Sequence, residues 1–398
     1  MKRAPARDPT AIAPGAPVPG AMAFPGGAAA LRTAPADPGA MVSPASAARR
    51  RFGLVLVLAT LFLIFAGAEV KSRQAGLSVP DWPLSYGMVW PPMVGNVFYE
   101  HGHRAIAAAV GMLVTLMAVW TARTEPRRWV AVLAWSALGA VVAQGVLGGL
   151  TVIFLLPPAI SISHGILAQT LLCLLTWLAF ATSREWAAPR ATGRSSRSAL
   201  TAAACAAGAV YVQLVLGALM RHNEAGLAVP FFPVSPAGAW LPDVVDLPVV
   251  LHMLHRGFAV VVLALVLLAA RRVALAHARL ARHAYALAVL ACTQVLLGAS
   301  IIWTARRDPD TAAWVKFPVP ASLHVLLGAG LLATAWWLCL RCWRAEHAPE
   351  ACAQHPAQVR TEHAPEHAPE LRAERGADVA DAAGAAAGPL ASAPRGAR

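Results

Sequence analysis

Hydrophobic residues in this chain fall in blocks of roughly 20 separated by short polar loops. That is the length needed to cross a hydrocarbon core of about 30 Å at 1.5 Å per helical residue. The pattern predicts eight helices, near residues 52–70, 97–121, 129–153, 160–182, 199–220, 249–270, 283–303 and 320–342. Residues 1–48 are rich in Ala, Pro and Gly and lack an apolar run long enough for a signal-peptide core. Together with 345–398 they are expected to be disordered tails. The expected fold is an all-α integral membrane protein.

The pattern also repeats. The first helix ends in Phe65-Ala66-Gly67-Ala68 and leads into a loop, Ala75-Gly76-Leu77-Ser78-Val79-Pro80-Asp81-Trp82-Pro83-Leu84-Ser85-Tyr86-Gly87. The fifth helix ends in Leu216-Gly217-Ala218 and leads into Ala225-Gly226-Leu227-Ala228-Val229-Pro230-Phe231-Phe232-Pro233. Gln144 and Gly148 of the third helix recur as Gln294 and Gly298 of the seventh, and His164 of the fourth as His324 of the eighth, so a period near 150 residues runs through the chain. Two tandem four-helix bundles are expected, at 49–190 and 191–344. An even number of crossings returns the chain to its starting side, so the halves are parallel repeats related by a pseudo-two-fold axis along the membrane normal.

Composition agrees: 58% of the 398 residues are hydrophobic and 13% charged, against about a quarter charged in a soluble domain. The net charge of +13 sits in short loops without interleaved aromatic residues, which argues against nucleic acid and for positive-inside sorting. Arg123, Arg127, Arg128, Arg184, Arg190, Arg194, Arg197, Arg271, Arg272, Arg279 and Arg282 fall on one side; only Lys71, Arg73, Arg221, Arg306, Arg307 and Lys316 fall on the other. Both termini are therefore expected in the cytoplasm. None of the six cysteines lies where it could staple an outer loop, and no pair has zinc-ligand spacing. The His-Ala-Pro-Glu copies beginning at His347, His363 and His367 are compatible with metal binding but read more simply as a solvated tail.

Ionisable groups within membrane helices are costly and usually functional. Tyr99-Glu100-His101-Gly102-His103-Arg104 on the second helix recurs on the sixth as Leu251-His252-Met253-Leu254-His255-Arg256. Every even-numbered helix enters from the outer face with a histidine in its first two turns: His103, His164, His255 and His324. The four rings would share one layer, two per half. A tetrapyrrole needs imidazole above and below its iron, apolar walls, and small residues where helices stand back; Gly102, Gly165, Gly257 and Gly328 lie within a turn of the histidines. Arg104 and Arg256 could pair with haem propionates or snorkel to lipid headgroups. Any one histidine could instead be a satisfied polar group bridging helices. Glu100 shares a helix face with His103, whereas its counterpart is His252, so one half is expected to carry chemistry that the other lacks. The plainer alternative for Glu100 is an acid favoured by the helix N-terminus. His101 and His252 are not needed as ligands.

At these residues the sequence resembles the haem A synthase family, over about residues 52–342. The resemblance rests on Glu100, His103, Arg104, His164, Gly165, His255, Arg256 and His324 in their order along the helices, and on the loop from Gly76 to Leu84. It implies oxidation of the C8 methyl of haem O to the formyl group of haem A, for a terminal cytochrome oxidase. His103, His164 and Arg104 would then hold the substrate haem, with Glu100 as the catalytic residue. His255, His324 and Arg256 would hold a haem b, making the four histidines iron ligands. A bacterial inner membrane location, and haem O synthase, oxidase assembly factors and membrane lipid as partners, are further implications. Where many members carry a cysteine pair in the first loop, this chain has Ser78 and Ser85, so a thiol-disulfide step there is ruled out. Competing readings are a di-haem b-type electron-transfer cytochrome, which leaves the difference between Glu100 and His252 without a reason, and a non-catalytic haem-carrying assembly factor.

Overall fold

A computed structural model describes residues 44–187, 196–235, 237–240, 242–307, 314–315 and 318–347. Most of both expected tails lies outside these residues. Eight helices are long and apolar enough to cross a membrane: α1 (Pro44–Ser72), α2 (Asn96–Thr124), α3 (Arg128–Ile153), α4 (Pro158–Ala181), α5 (Arg197–His222), α6 (Leu247–Ala276), α7 (Ala281–Thr304) and α8 (Pro318–His347). Each matches an expected span to within a few residues at most ends, but α1 starts within the expected N-terminal tail and α8 ends within the C-terminal one. Apart from these, the described residues hold a one-turn helix at Arg184–Ala187, short 3-10 turns, and a two-residue antiparallel pairing of 306–307 with 314–315. The protein is an all-helical, multi-pass membrane protein.

Local chemistry sets the helix starts. Asp246 caps α6 by accepting the Val249 N–H at 3.0 Å, with Pro248 in the first turn, and Ser196 caps α5 by accepting the Ala199 N–H at 3.3 Å. Each bond satisfies an amide that the first turn leaves without a partner. Residues 154–157 turn the chain from α3 into α4, with Leu155 and Leu156 in left-handed conformation. The corresponding α7–α8 connection is longer, residues 305–317, which accounts for His164 and His324 being further apart than the 150-residue period.

Packing follows the halves. One core cluster joins Leu56 of α1, Val110 and Met117 of α2, Val130 of α3 and Leu171 of α4; another joins α5 to α8 through Ala206, Val266, Leu287 and Leu338. Buried alanines along α5 (Ala199, Ala202, Ala203, Ala206) let the α6 backbone approach closely, the usual means of helix association in lipid. A third cluster, Leu172 of α4 with Ala329 and Ala333 of α8 and flanking residues of α1, joins the two. Half of the spanning windows of α4 and α8 are buried against a third or less for every other helix, so these two helices form the centre of the bundle.

Polar bonds tie the halves at the histidine-bearing end. Arg221 donates to the Ala68 carbonyl and to Ser72 Oγ at 2.8 and 2.7 Å, Lys71 pairs with Glu224 at 2.5 Å, and Ser72 meets Ser322 at 3.0 Å. At the opposite end Trp186 packs against Trp129, Phe180 and Trp343. Arg344 donates to the Trp186 carbonyl. Such aromatic belts beside basic residues mark a membrane interface.

Candidate functional site

A continuous cavity of about 1300 Å³ opens between the helices at the loop-bearing end. His103, His164, His255 and His324 all line it, as do Glu100, Arg104, Arg256 and His252. The histidines fall six to eight residues after their helix starts, about 9–12 Å along the axis. Measured from their helix starts, the four histidines thus lie at similar depths.

Each ring packs close to a glycine on a neighbouring helix. A Cβ at Gly67 of α1 would come within 2.9 Å of His103 Cε1, and at Gly217 of α5 within 3.1 Å of His255 Cε1. Likewise a Cβ at Gly148 of α3 would meet His164 at 3.4 Å, and at Gly298 of α7 would meet His324 at 2.9 Å. By contrast, a Cβ at Gly102, Gly165 or Gly257 would meet nothing within 4 Å, whereas one at Gly328 would meet Gln294 Nε2 at 3.1 Å and Leu214 Cδ2 at 3.2 Å, so the fourth of these glycines is packed against its neighbours and does not stand back from them. The close approach is made from the odd-numbered helices.

Glutamines orient the backbone behind the rings. Gln144 donates to the His164 carbonyl at 2.9 Å and Gln294 to the His324 carbonyl at 3.0 Å. Gln213 donates to the His255 carbonyl at 2.8 Å and lies 3.2 Å from its Nδ1. Leu63 occupies the matching place in the first half, so the Gln213 contact belongs to the second half alone.

In the first half the second-helix motif grips the α1–α2 loop. Glu100 is 4% exposed; its Oε2 accepts the Val79 N–H at 2.9 Å and its Oε1 the Arg104 Nη2–H at 2.5 Å. Arg104 also donates to the carbonyls of Asp81 (2.7 Å), Leu84 (2.9 Å) and Val79 (3.3 Å). The loop closes on itself as well: Asp81 accepts the N–H groups of Tyr86 and Gly87 at 2.6 and 2.8 Å, and Tyr86 donates to the Ser78 carbonyl. The Gly87 bond, partly opposed by desolvation and helped by the Tyr86 bond, holds the Asp81 carboxyl below its usual range. Ser85 is fully buried, bonded to His101 Nδ1 at 2.8 Å and bridged to Met88 through the backbone. Ser85 and His101 therefore tie the loop to the second helix.

The second half repeats the grip with different chemistry. His252 Nδ1 lies 3.4 Å from the Val229 amide and 3.0 Å from the Ala225 carbonyl, while Arg256 donates to the carbonyls of Phe231 and Val229, both at 2.8 Å. His252 thus stands where Glu100 does, against the matching valine. Both halves use an arginine, but the carboxylate beside it in the first half is an imidazole in the second.

These residues fit a haem. His255 and His324 lie edge to face with ring centroids 6.4 Å apart and planes 68° apart. His103 and His164 line the same cavity in the first half. His103, His164 and His324 each keep a buried Nδ1 without a hydrogen-bond partner among the described residues. Among those residues no cluster of three or more His, Cys, Asp or Glu forms a metal cage; paired imidazoles beside an apolar cavity suit an iron already held in a macrocycle. The five described cysteines are unpaired and away from this cavity.

Comparison with known proteins gives concordant results. Residues 93–307 match the model of the COX15-CtaA family, described as cytochrome oxidase assembly protein. The match takes in Glu100, His103, His164 and His255. The chain is 32% identical to the Heme A synthase of Shouchella clausii over 231 residues, 55% of this chain and 73% of that protein. It is 30% identical to that of Halalkalibacterium halodurans over 265 residues, 64% and 86% of the two chains. A third relative, from Sphingopyxis alaskensis, is 28% identical over 340 residues, covering 73% of this chain and 91% of its own length.

Proposed function

Because the chain belongs to the COX15-CtaA family of cytochrome oxidase assembly proteins, we propose that it converts the C8 methyl of haem O to the formyl group of haem A in its first half, with a b-type haem held in its second. The protein is a membrane oxidoreductase acting on haem O, and its activity is that of a haem A synthase. The observation that carries the division of labour is the replacement of Glu100 by His252 at one place in two otherwise matching loop grips.

In this reading His103 and His164 hold the substrate haem, and His255 and His324 the resident haem, which supplies one-electron chemistry when bound. Glu100 lines the cavity with its charge held by Arg104, a placement suited to accepting a proton or facing positive charge that develops at the methyl carbon. Arg256 is the better propionate partner. A guanidinium has five N–H donors; Arg104 directs four bonds to the loop and Glu100, whereas Arg256 directs two to carbonyls.

The matched contacts support two four-helix units at 49–190 and 191–344 related by a pseudo-two-fold axis. The basic residues and the tryptophan belt at one end support an inner-membrane protein with both termini cytoplasmic. Haem O synthase and oxidase assembly factors are the expected partners. The deciding experiment is chromatography and mass analysis of haems extracted from membranes of a host that makes haem O but no haem A. Appearance of haem A supports this reading, and recovery of unaltered haem O with intact protein would overturn it.

A further inference from the structure

Trp82 meets Gly149 more closely than any neighbour meets another described glycine. A Cβ at Gly149 would come within 2.7 Å of Trp82 Cδ2 and Cε2 and 3.0 Å of Cε3, so the fused edge of the indole rests on the α3 backbone where no side chain fits. The indole also lines the cavity shared by Glu100, His103 and His164. Its loop is held rigidly on either side: Arg104 bonds the carbonyls of Asp81 and Leu84, and Glu100 the Val79 amide. An apolar face fixed in this way is a wall, and it needs Gly149 to be where it is.

The 150-residue period shows what the other half does in the same place. Trp82 corresponds to Phe232 and Gly149 to Ala299. Phe232 packs on Trp303 with centroids 6.0 Å apart, beneath the Arg256 guanidinium. Both positions have changed together: the larger ring goes with the missing Cβ and the smaller ring with its presence. Two haems that differ only at their periphery must be told apart by such walls, because identical histidine ligands do not distinguish them.

We propose that Trp82, seated on Gly149, is the specificity-determining wall of the first half, selecting haem O over b-type haem, and that Phe232 with Ala299 forms the corresponding wall for the resident haem. This rests on the assignment of substrate to the first half. Differences of this size in an apolar pocket are worth about 10–200-fold in discrimination.

The test uses full-length protein in membranes of the haem O-producing host, with haem O titrated in the presence and absence of b-type haem as competitor. Gly149→Ala, which drives a methyl group into the indole, should raise KM for haem O at least tenfold with a smaller change in kcat. The double variant W82F/G149A, which carries the second half's own pair, should recover turnover at saturating haem O and become at least tenfold more sensitive to the competitor. The low-spin b-type spectrum of the second half reports folding throughout. If Gly149→Ala loses that spectrum, Trp82→Phe alone decides, and a wild-type KM and competitor response would overturn the proposal. Wild-type values in all three variants would do the same. Wild-type membranes that make no haem A would instead remove the functional reading, and this inference with it.

Discussion

Glu100 and Val79 are joined by a hydrogen bond of 2.9 Å, from the loop amide to a carboxylate whose other oxygen is held by Arg104. One acid thus anchors a loop and borders the cavity, and two substitutions separate these roles. Glu100→Gln keeps an acceptor for Val79 but cannot ionise. It should preserve the b-type spectrum while lowering conversion of haem O about 10²–10⁴-fold, the usual worth of general acid–base help, with haem O or a partly oxidised alcohol accumulating. Normal haem A output from this variant would restrict Glu100 to its structural role. Glu100→Ala removes the anchor as well, and thermal unfolding should show a loss of about 3 kcal/mol, the low end for breaking a buried pair, because Arg104 keeps its carbonyl partners.

Replacing His255 or His324 with Ala should abolish the low-spin b-type spectrum of the purified protein, since the two rings lie 6.4 Å apart in the second half. Retention of that spectrum in both variants would assign the resident haem to the other pair.

Gln294→Leu leaves His324 in place but frees its carbonyl and ring of an amide at 3.0 and 3.3 Å. Haem b affinity, measured by loss to an apo-protein acceptor, should fall about 10–100-fold, as for other residues that orient a metal ligand, with helix content unchanged. An unaltered rate of loss would show that Gly298 alone holds the ring.

Ser85→Ala breaks the buried contact with His101. Loop protection against protease should weaken by about 1–3 kcal/mol, the penalty for a buried polar group left unsatisfied. Thiol reductants should leave the wild-type rate unchanged, since the loop contains no cysteine. A reductant-sensitive rate would place a redox step elsewhere in the chain.

Reporter fusions after Arg123 and Arg279 should report the cytoplasm, and one after Ser235 the opposite side, following the eleven-to-six bias of basic residues. Inversion of all three would reverse the orientation proposed for both termini.

The eight helices were legible because 20-residue apolar blocks have few alternatives in a bilayer, and the histidines because ionisable residues stand out within them. Residues whose partners lie on other helices were harder to read. Gly67, Gly148, Gly217 and Gly298 recur at the 150-residue period, yet nothing in that recurrence says which histidine each one touches. Arg104 spends most of its donors on backbone carbonyls, acceptors that every residue possesses and that leave no mark in a sequence. Gln213 has no counterpart in the first half, so comparing the halves for shared residues passes over it. The pairing of Trp82 with Gly149 could have been found only by asking which positions changed together between the halves.

The central position of α4 and α8 bears on the order in which the chain is made. α4 is the fourth helix to enter the bilayer, and part of its buried surface, at Leu172, lies against α8, the last. Until Pro318–His347 is synthesised, that face of α4 has only lipid to contact, which costs little because acyl chains are as apolar as the leucines they replace. The first half therefore completes its walls only when the far end of the chain arrives. A ribosome stalled within the 305–317 connection would leave a membrane-inserted bundle with its central seam open, including the side of the cavity that His324 closes.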